Sequence, residues 1–302
     1  VFFKNMKHIS VLLNESIDGL DIHKGDVIVD GTLGGGGHTY EIIKRFGKDV
    51  KIIGLDLDID AKKRTESLIG NTPNDFIFKN SGFQDLDKVL KDLKIEKVDK
   101  ILLDLGISSF QLEVAGRGFS FLKDEPLLMT MKKELDDNDL TARDIVNIWS
   151  EETIADIIYG FGEEKYSRKI AKKIVEARAE KEIETTFDLV KIIDEAVGKS
   201  YKGMRINPST RTFQALRIAT NSELSNLEKA IEKGFDCLRK KGRIAIISFH
   251  SLEDRIVKKA FVRLKEDSLV NIITKKPIIP SDEEIKTNPR SRSSKLRLLE
   301  KI

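Results

Sequence analysis

Asp30 and Asp56 each close a short run rich in β-branched residues, V-I-V-D at 27–30 and K-I-I-G-L-D at 51–56. Four consecutive glycines, 34–37, follow the first run and lead into T-Y-E-I-I-K-R-F. The pattern reads strand, glycine turn, helix. Glycine takes the left-handed backbone such a turn requires and lets a ligand approach the chain closely. The helix then presents free N–H groups and its positive dipole end to whatever sits in the turn. Asp56 lies 19 residues beyond Gly37. An acid about 20 residues past such a turn accepts hydrogen bonds from ribose hydroxyls. These residues point to a ligand containing a nucleoside. A Gly-rich turn taken alone also serves as a plain strand-to-helix connection.

Two common nucleotide signatures are absent. Counted from Gly34, the third small position of G-x-G-x-x-G falls on Thr39, and no G-x-x-x-x-G-K-[ST] loop occurs. An Asp ending the first strand, followed by a loose glycine turn, instead resembles the S-adenosylmethionine (SAM) pocket of class I methyltransferases. SAM has no phosphate to cradle. It needs backbone approach, a carboxylate for the ribose and polar groups for its amino-acid end.

Further strands must position these acids. Candidates are 75–79, leading to Phe83; 100–103, ending at Asp104; 243–248, after a Lys241-Gly242 turn; and 269–274 and 296–299 as closing strands. Helical stretches such as 83–93 separate the earlier ones, which predicts a mostly parallel sheet covered by helices on both faces. Ligands in such sheets sit beyond the carboxyl ends of the strands where strand order reverses. Asp30, Asp56, Phe83 and Asp104 all fall at or just past such ends.

A gap of well over a hundred residues separates the strands at 100–103 and 243–248, where a crossover needs roughly a dozen. It reads as helical at 141–149, 151–159, 163–179 and 186–197, with Phe187, Val190, Ile193 and Val197 at helical spacing. The expected organisation is a first sheet-forming part over 1–110, an inserted helical subdomain over 111–206 for substrate recognition, and a second sheet-forming part over 207–302. In that last part, 209–238 is expected to be mainly one crossover helix. Ser251-Leu-Glu-Asp254 reads as a capping box opening a helix to Leu264.

The chain has 302 residues, 40% apolar and 34% charged, with a net charge of +3. That composition excludes a disordered chain. No apolar run approaches the ~20 residues of a membrane span. The start, V-F-F-K-N-M-K-H, lacks a long apolar core, so no signal peptide is expected, and Met6 is a candidate natural start. The one cysteine, Cys237, excludes a disulfide framework and is expected to be a small buried residue. A cytoplasmic location fits these features. With so small a net charge, nucleic-acid contact must come from local clusters.

The blocks H-I-S-V-L-L-N-E (8–15), D-G-T-L-G-G-G-G-H (30–38), L-L-D-L-G-I-S-S-F-Q-L (102–112), R-G-F-S-F (117–121), Y-G-F-G-E-E-K-Y-S-R-K-I-A (159–171), T-R-T-F-Q-A-L-R-I (210–218), I-S-F-H-S-L-E-D-R-I-V-K (247–258) and N-P-R-S-R-S-S-K-L-R (288–297) span nearly the whole chain. In these blocks it resembles the RsmH (formerly MraW) family of bacterial 16S rRNA cytidine N4-methyltransferases. The resemblance implies a class I, Rossmann-like SAM domain interrupted by a helical insertion. It also implies SAM contacts from Gly36, Gly37, His38, Asp56, Phe83, Asp104 and Gln111, and methyl transfer to the exocyclic N4 of a decoding-centre cytidine in the small subunit.

The residues themselves allow these roles. Asp56 suits the ribose. Phe83 suits either the adenine face or the core. Asp104 suits the methionine ammonium, the target amine or the capping of the next turn, and is the catalytic candidate. Gln111 suits the amino-acid end or an exposed loop. His38 has no acid or second histidine at ligand spacing, so no metal is expected. His250 and Ser251 are weaker candidates for substrate contact.

The resemblance breaks in places. Amino-methyltransferases often carry D/N/S-P-P-Y/F after the fourth strand, where this chain has Asp104-Leu105-Gly106-Ile107. Residues 126–132 read P-L-L-M-T-M-K where the family usually reads P-L-D-M-R-M-D, so Leu128, Thr130 and Lys132 replace an Asp, an Arg and an Asp. Phe110 and Asn207 depart from the usual proline and histidine. A SAM-binding but catalytically weak RNA-binding or assembly factor is therefore the alternative reading. For RNA, Lys202, Arg205, Arg211 and Arg217 lie in a stretch without acids, and Arg290 and Arg292 in a second basic stretch. Either run also suits a solvated face. Monomer and homodimer both remain open.

Overall fold

The structure is a computed structural model, and it describes residues 9–72, 74–202 and 206–302. His8, Met6 and Arg205, named above, lie outside the described residues. The chain divides into two compact units, 1–106 with 224–302, and 107–223.

The first unit is a seven-stranded mixed sheet. Its strands are β1 (Val27–Asp30), β2 (Lys51–Asp56), β3 (Asp75–Asn80), β4 (Val98–Asp104), β5 (Leu238–Ser248), β6 (Val270–Ile272) and β7 (Lys295–Lys301). The order is β3-β2-β1-β4-β5-β7-β6. β1 to β5 pair in parallel, and β7 runs antiparallel between β5 and β6. The chain builds outward from β1 through β2 to β3, then returns to place β4 on the other side of β1. Strand order therefore reverses between β1 and β4, which opens a crevice at their carboxyl ends.

Helices cover both faces. Ahead of the second unit they are α1 (Leu13–Leu20), α2 (Gly37–Phe46), α3 (Asp60–Ile69) and α4 (Leu86–Asp92), and others follow after it. Successive strand residues point to opposite sides. Val29, Ile53, Ile101, Leu103 and Ile246 pack on one side with Leu86, Leu90, Leu227, Ile231 and Phe261. Ile28, Ile52, Leu102 and Ile247 pack on the other with Ile17, Leu20, Ile42 and Ile43. Burial on both faces is why these strands read as unbroken apolar runs. β5 begins five residues before the expected Arg243. Val98 pairs with Leu238 and Lys100 with Arg243, so the Lys241-Gly242 turn is an irregularity inside the strand.

The second unit is helical: α5 (Ser109–Glu113), α6 (Ala142–Ile148), α7 (Glu151–Gly162), α8 (Ser167–Glu180), α9 (Thr186–Val197) and α10 (Ser209–Asn221). It runs from Ile107 to Glu223, past the expected 111–206 at both ends, because α10 packs on α7 within it. The expected single helix over 209–238 is two, α10 and α11 (Glu223–Cys237), broken at Ser222 in the left-handed region (φ 50°). Capping boxes open α6 and α9, Thr141 with Asp144 and Thr185 with Asp188. The buried stripe of α9 is Leu189, Ile192, Ile193 and Val197, and Phe187 is 48% exposed. Of the expected stripe, Ile193 and Val197 are buried and Val190 is partly buried, so it departs only at Phe187 in the first turn. Cys237 is half-buried, and burial pushes its thiol upward. Among the described residues no helix is long and apolar enough to cross a membrane.

Gly162 ends α7 against α10, where an added Cβ would lie 2.5 Å from the Arg211 carbonyl oxygen. Gly160, on the same helix, has nothing within 4 Å of that position. Gly162→Ala should destabilise by about 1–3 kcal/mol through overpacking. Gly160→Ala should stabilise by up to about 1 kcal/mol through helix propensity. Urea unfolding of the two variants checks both signs.

Candidate functional site

The crevice between β1 and β4 gathers most of the acids singled out from sequence. Asp30 ends β1, and its carboxylate accepts from Thr39 Oγ1 (2.7 Å) and the Thr32 amide (3.3 Å). Thr32 Oγ1 in turn accepts from the Asp104 amide at 2.6 Å, so one threonine ties the ends of β1 and β4 together. Thr32 carries no sequence signal beyond its place between two motif residues. Burial pushes the Asp30 carboxyl up to about 6, against the opposing pull of its Thr39 and Thr32 bonds.

Asp56 fastens the second strand end to the glycine turn. Its Oδ2 accepts from the Gly34 amide (2.7 Å) and its Oδ1 from the Asp58 amide (2.8 Å). Each oxygen keeps a lone pair for a further donor. Burial raises this carboxyl, and the two amides pull it back. Arg64, on α3, pairs with buried Asp58 (3.3 Å) and donates to the Gly34 carbonyl (3.2 Å).

At two glycines the missing side chain makes room for protein. A Cβ on Gly36 would lie 2.5 Å from Thr65 Oγ1, and one on Gly37 would lie 2.0 Å from Ser10 Oγ. Gly36 also has φ +78° and caps α2 without a side-chain hydrogen bond. Phe83 opens a 3-10 turn, is partly buried against the sheet core, and sits beside Gly31, whose added Cβ would be 3.2 Å from the Phe83 Cβ.

His38 and Asp104 meet in the same crevice. His38 is 5% exposed; its Nε2 is 3.2 Å from the Val11 carbonyl oxygen, and its Nδ1 is 3.8 Å from Asp104 Oδ2. Asp104 Oδ1 is buried with no hydrogen-bond partner among the described residues. Burial first, then the charges of Asp30 and Glu253, hold the Asp104 carboxyl well above the ordinary carboxylate range. Such an oxygen, in an acidic and desolvated setting, suits a cationic or N–H-bearing ligand.

His250 serves α12 (Ser251–Glu266) as its N-cap. Its Nδ1 accepts from the Glu253 amide (3.4 Å), while Glu253 Oε2 accepts from the Phe249 amide (2.8 Å). The capping box is therefore His250 with Glu253, one residue earlier than the expected Ser251 with Asp254.

The other singled-out residues belong to the second unit or to the chain's end. Gln111 is buried in a capping box, its Oε1 accepting from the Ser108 amide at 2.9 Å, which replaces the exposed-loop alternative. Met129 has φ +55°, and Asn221 clasps both sides of Thr130, donating to the Met129 carbonyl (2.7 Å) and accepting from the Met131 amide (2.8 Å). Thr130 Oγ1 is buried without a hydrogen-bond partner among the described residues, and Lys132 pairs with Asp136 and Asp139.

Of the basic residues, Lys202, Arg290 and Arg292 are exposed. Arg217 is not: its side chain is 16% exposed and forms a two-pronged ion pair with Glu223 at 2.8 and 2.9 Å. Arg211 lies 3.8 Å from fully buried Glu164, which also accepts from Tyr201 Oη. The stretch without acids thus acquires acidic partners from beyond its ends.

Asp30 binds a proton more tightly folded (about 6) than its ordinary value of 3.8 allows unfolded. Its contribution to stability is fully present below 3.8 and is lost as pH rises through about 6. The loss is roughly 3 kcal/mol at full ionisation. Asp30→Asn should therefore show a shallower fall in unfolding free energy across that window, measured by urea titrations at stepped pH.

A family model described as the MraW methylase family matches residues 5–302. The ribosomal RNA small subunit methyltransferase H of Clostridium botulinum (strain Kyoto / Type A2) is 47% identical over 311 aligned positions, covering 98% of this chain and 99% of that protein. Its counterpart in Sulfurihydrogenibium sp. (strain YO3AOP1) is 47% identical over 297, covering 98% and 100%. A solved rRNA methylase from Streptococcus thermophilus aligns with TM-score 0.45 and 14% identity over 97% of this chain and 98% of that one. A match running from residue 5 to the last residue, with near-complete mutual coverage at 47% identity, means that the chain belongs to the MraW methylase family.

Proposed function

We propose that the protein is a SAM-dependent rRNA methyltransferase that methylates the exocyclic N4 of a decoding-centre cytidine in 16S rRNA, acting in the cytoplasm on the small subunit. The observation that carries this reading is 47% identity, end to end, to ribosomal RNA small subunit methyltransferases H.

The first unit's crevice fits the methyl donor. Asp56 has lone pairs left for the ribose hydroxyls. The backbone of Gly36 and Gly37, at the uncapped start of α2, faces the donor, with His38 and Phe83 flanking it. The unpartnered Oδ1 of Asp104 suits the positively charged end of SAM or the target amine. Gln111 is assigned to the amino-acid end through its Nε2, since its Oε1 serves the cap. SAM supplies an electrophilic methyl on a sulfonium. The protein's task is then to align the amine with that methyl, exclude water and receive one proton. No metal is required for any of these tasks. The helical unit, with Lys202 and Arg211, and the exposed Arg290 and Arg292 are assigned to RNA.

One observation favours the weak-factor reading. Lys132 is neutralised by Asp136 and Asp139, and Thr130 leaves a buried hydroxyl unpaired, so this segment offers substrate little charge. Transfer of labelled methyl from SAM to small subunits lacking the modification, with the labelled nucleotide mapped, should place the label on N4 of one cytidine. If SAM binds but no label appears, and Leu128→Asp/Thr130→Arg/Lys132→Asp restores transfer, the weak-factor reading holds.

Exposed and paired cations should behave differently. Lys202→Glu and Arg292→Glu should weaken binding to small subunits and lower its salt dependence by about one counterion each. Arg217→Ala should instead cost on the order of 2 kcal/mol of folding stability by leaving Glu223 unpaired. Salt-titrated binding and urea unfolding separate the two effects.

A further inference from the structure

We propose that the solvent face of α12 is a phosphate-binding track that holds an rRNA strand on its way to the crevice. The inference deepens the reading of this chain as an rRNA methyltransferase and rests on it.

Five cations, Arg255, Lys258, Lys259, Arg263 and Lys265, lie within eleven residues of α12 that contain no acid. All five are exposed. Their combined charge exceeds the +3 of the whole chain, so the positive field is local to this face. Among the described residues, the side chains of Lys258, Lys259, Arg263 and Lys265 have no hydrogen bond or ion pair. The acids that open the helix are already committed, Glu253 to the cap, and Asp254 to Arg297 (2.7 Å) and Lys295 (3.2 Å). Val257 and Phe261 anchor the opposite side of α12 in the sheet core.

Folding does not account for this face. Arg263 and Lys265, in the last turn, complement the negative end of the helix dipole. Lys258 and Lys259, in the middle of the helix, gain nothing from it. Like charges four residues apart on a helix repel, and Arg255 with Lys259 and Lys259 with Arg263 are two such pairs. The helix carries a repulsion that a bound polyanion would relieve.

The position of α12 names that polyanion. His250, its N-cap, stands just past the carboxyl end of β5, and the charge of Glu253 in the first turn reaches Asp104. The helix then runs back to β6, whose first residue, Val270, pairs with Lys301 at the far end of β7 from Lys295. From Arg255 to Lys265 it covers about 15 Å. One strand of nucleic acid carries roughly four phosphates over that length. Arg290 and Arg292 stand at the crevice end too, since they precede Lys295, which pairs with Ser248 at the end of β5. The cations thus begin beside the crevice that must receive the target base and lead away from it, as the backbone of a substrate strand would.

The test compares two variants of the full chain. Lys258→Gln/Lys259→Gln/Arg263→Gln strips the track. Lys24→Gln/Lys48→Gln/Lys94→Gln removes three exposed cations from the opposite, amino ends of β1, β2 and β4. The track variant should bind unmethylated small subunits on the order of 10-fold more weakly at moderate salt, and the slope of log affinity against log salt should fall by roughly two to three. Its KM for subunits should rise with kcat nearly unchanged, and its SAM affinity should not move. Urea unfolding should find it at least as stable as wild type, because the repulsion is relieved. The control variant should keep the wild-type slope and KM. A photo-reactive residue in place of Lys259 should cross-link to 16S rRNA. Equal losses in both variants, an unchanged slope in the track variant, or no cross-link except to ribosomal protein overturns the track and leaves the methyltransferase reading intact. A wild-type chain that neither binds nor methylates these subunits overturns both.

Discussion

Carboxyl groups of like sign crowd the carboxyl ends of the inner strands, and the local structure is arranged around their accommodation. Asp30 is answered by a hydroxyl and an amide, Asp56 by two amides, Asp58 by Arg64, and Glu253 by the amides that open α12. Three of these groups also tie chain segments together: Asp30 joins the β1 end to α2, Asp56 joins β2 to the glycine turn, and Arg64, the partner of Asp58, joins α3 to that turn. An unanswered buried carboxylate is costly, so these bonds hold the segments as much as they satisfy the acids. Asp104 is the exception, with one oxygen left over. The first unit can carry that exception because apolar cores on both faces of its sheet fix the strand ends independently.

The helical unit solves a different problem. Its helices pack through an aliphatic core that includes Ile145, Ile158, Ile170 and Leu189, and the irregular 126–132 segment is held by backbone bonds to neighbours: Leu127 to Glu184, Met129 to Arg117, and Ala142 to Leu128. Asn221 completes the clasp from the end of α10. A non-glycine residue at positive φ and an unpaired buried hydroxyl persist only where the surroundings over-determine the conformation. The departures at Leu128, Thr130 and Lys132 therefore sit in a firmly held segment.

Much of this was legible in the sequence, for identifiable reasons. Unbroken apolar runs marked β1, β2 and β4 because both sheet faces are covered, and the acid at each run's end marked the crevice. The face of α9 was legible in part: Ile193 and Val197 turn inward as their spacing predicts, while Phe187 in the first turn faces solvent and Leu189 and Ile192 join the core. The break at Ser222 escaped because serine is no strong helix breaker. Ser251 looked a better cap than His250, whose ring nitrogen takes that role only once Glu253 folds back. Charge clusters misled most. Glu164 lies 47 residues before Arg211, and Glu223 just beyond the window that ended at Arg217. At Gly36 and Gly37 the structure shows a reason for glycine that the sequence did not signal, the close approach of Thr65 and Ser10.

The Val11 carbonyl that faces His38 belongs to a short strap with an unusual anchorage. Leu12 donates its amide to Glu284, and Asn288 donates to the Ile9 carbonyl, across 272 and 279 residues of chain. Closing so long a loop is entropically unfavourable until the intervening sheet has formed. During synthesis, residues 9–12 precede their anchors by more than 270 residues. The wall of the crevice beside the glycine turn is thus completed only after the strands between strap and anchors have been made, and a nascent chain cannot close this pocket before Glu284 and Asn288 are in place.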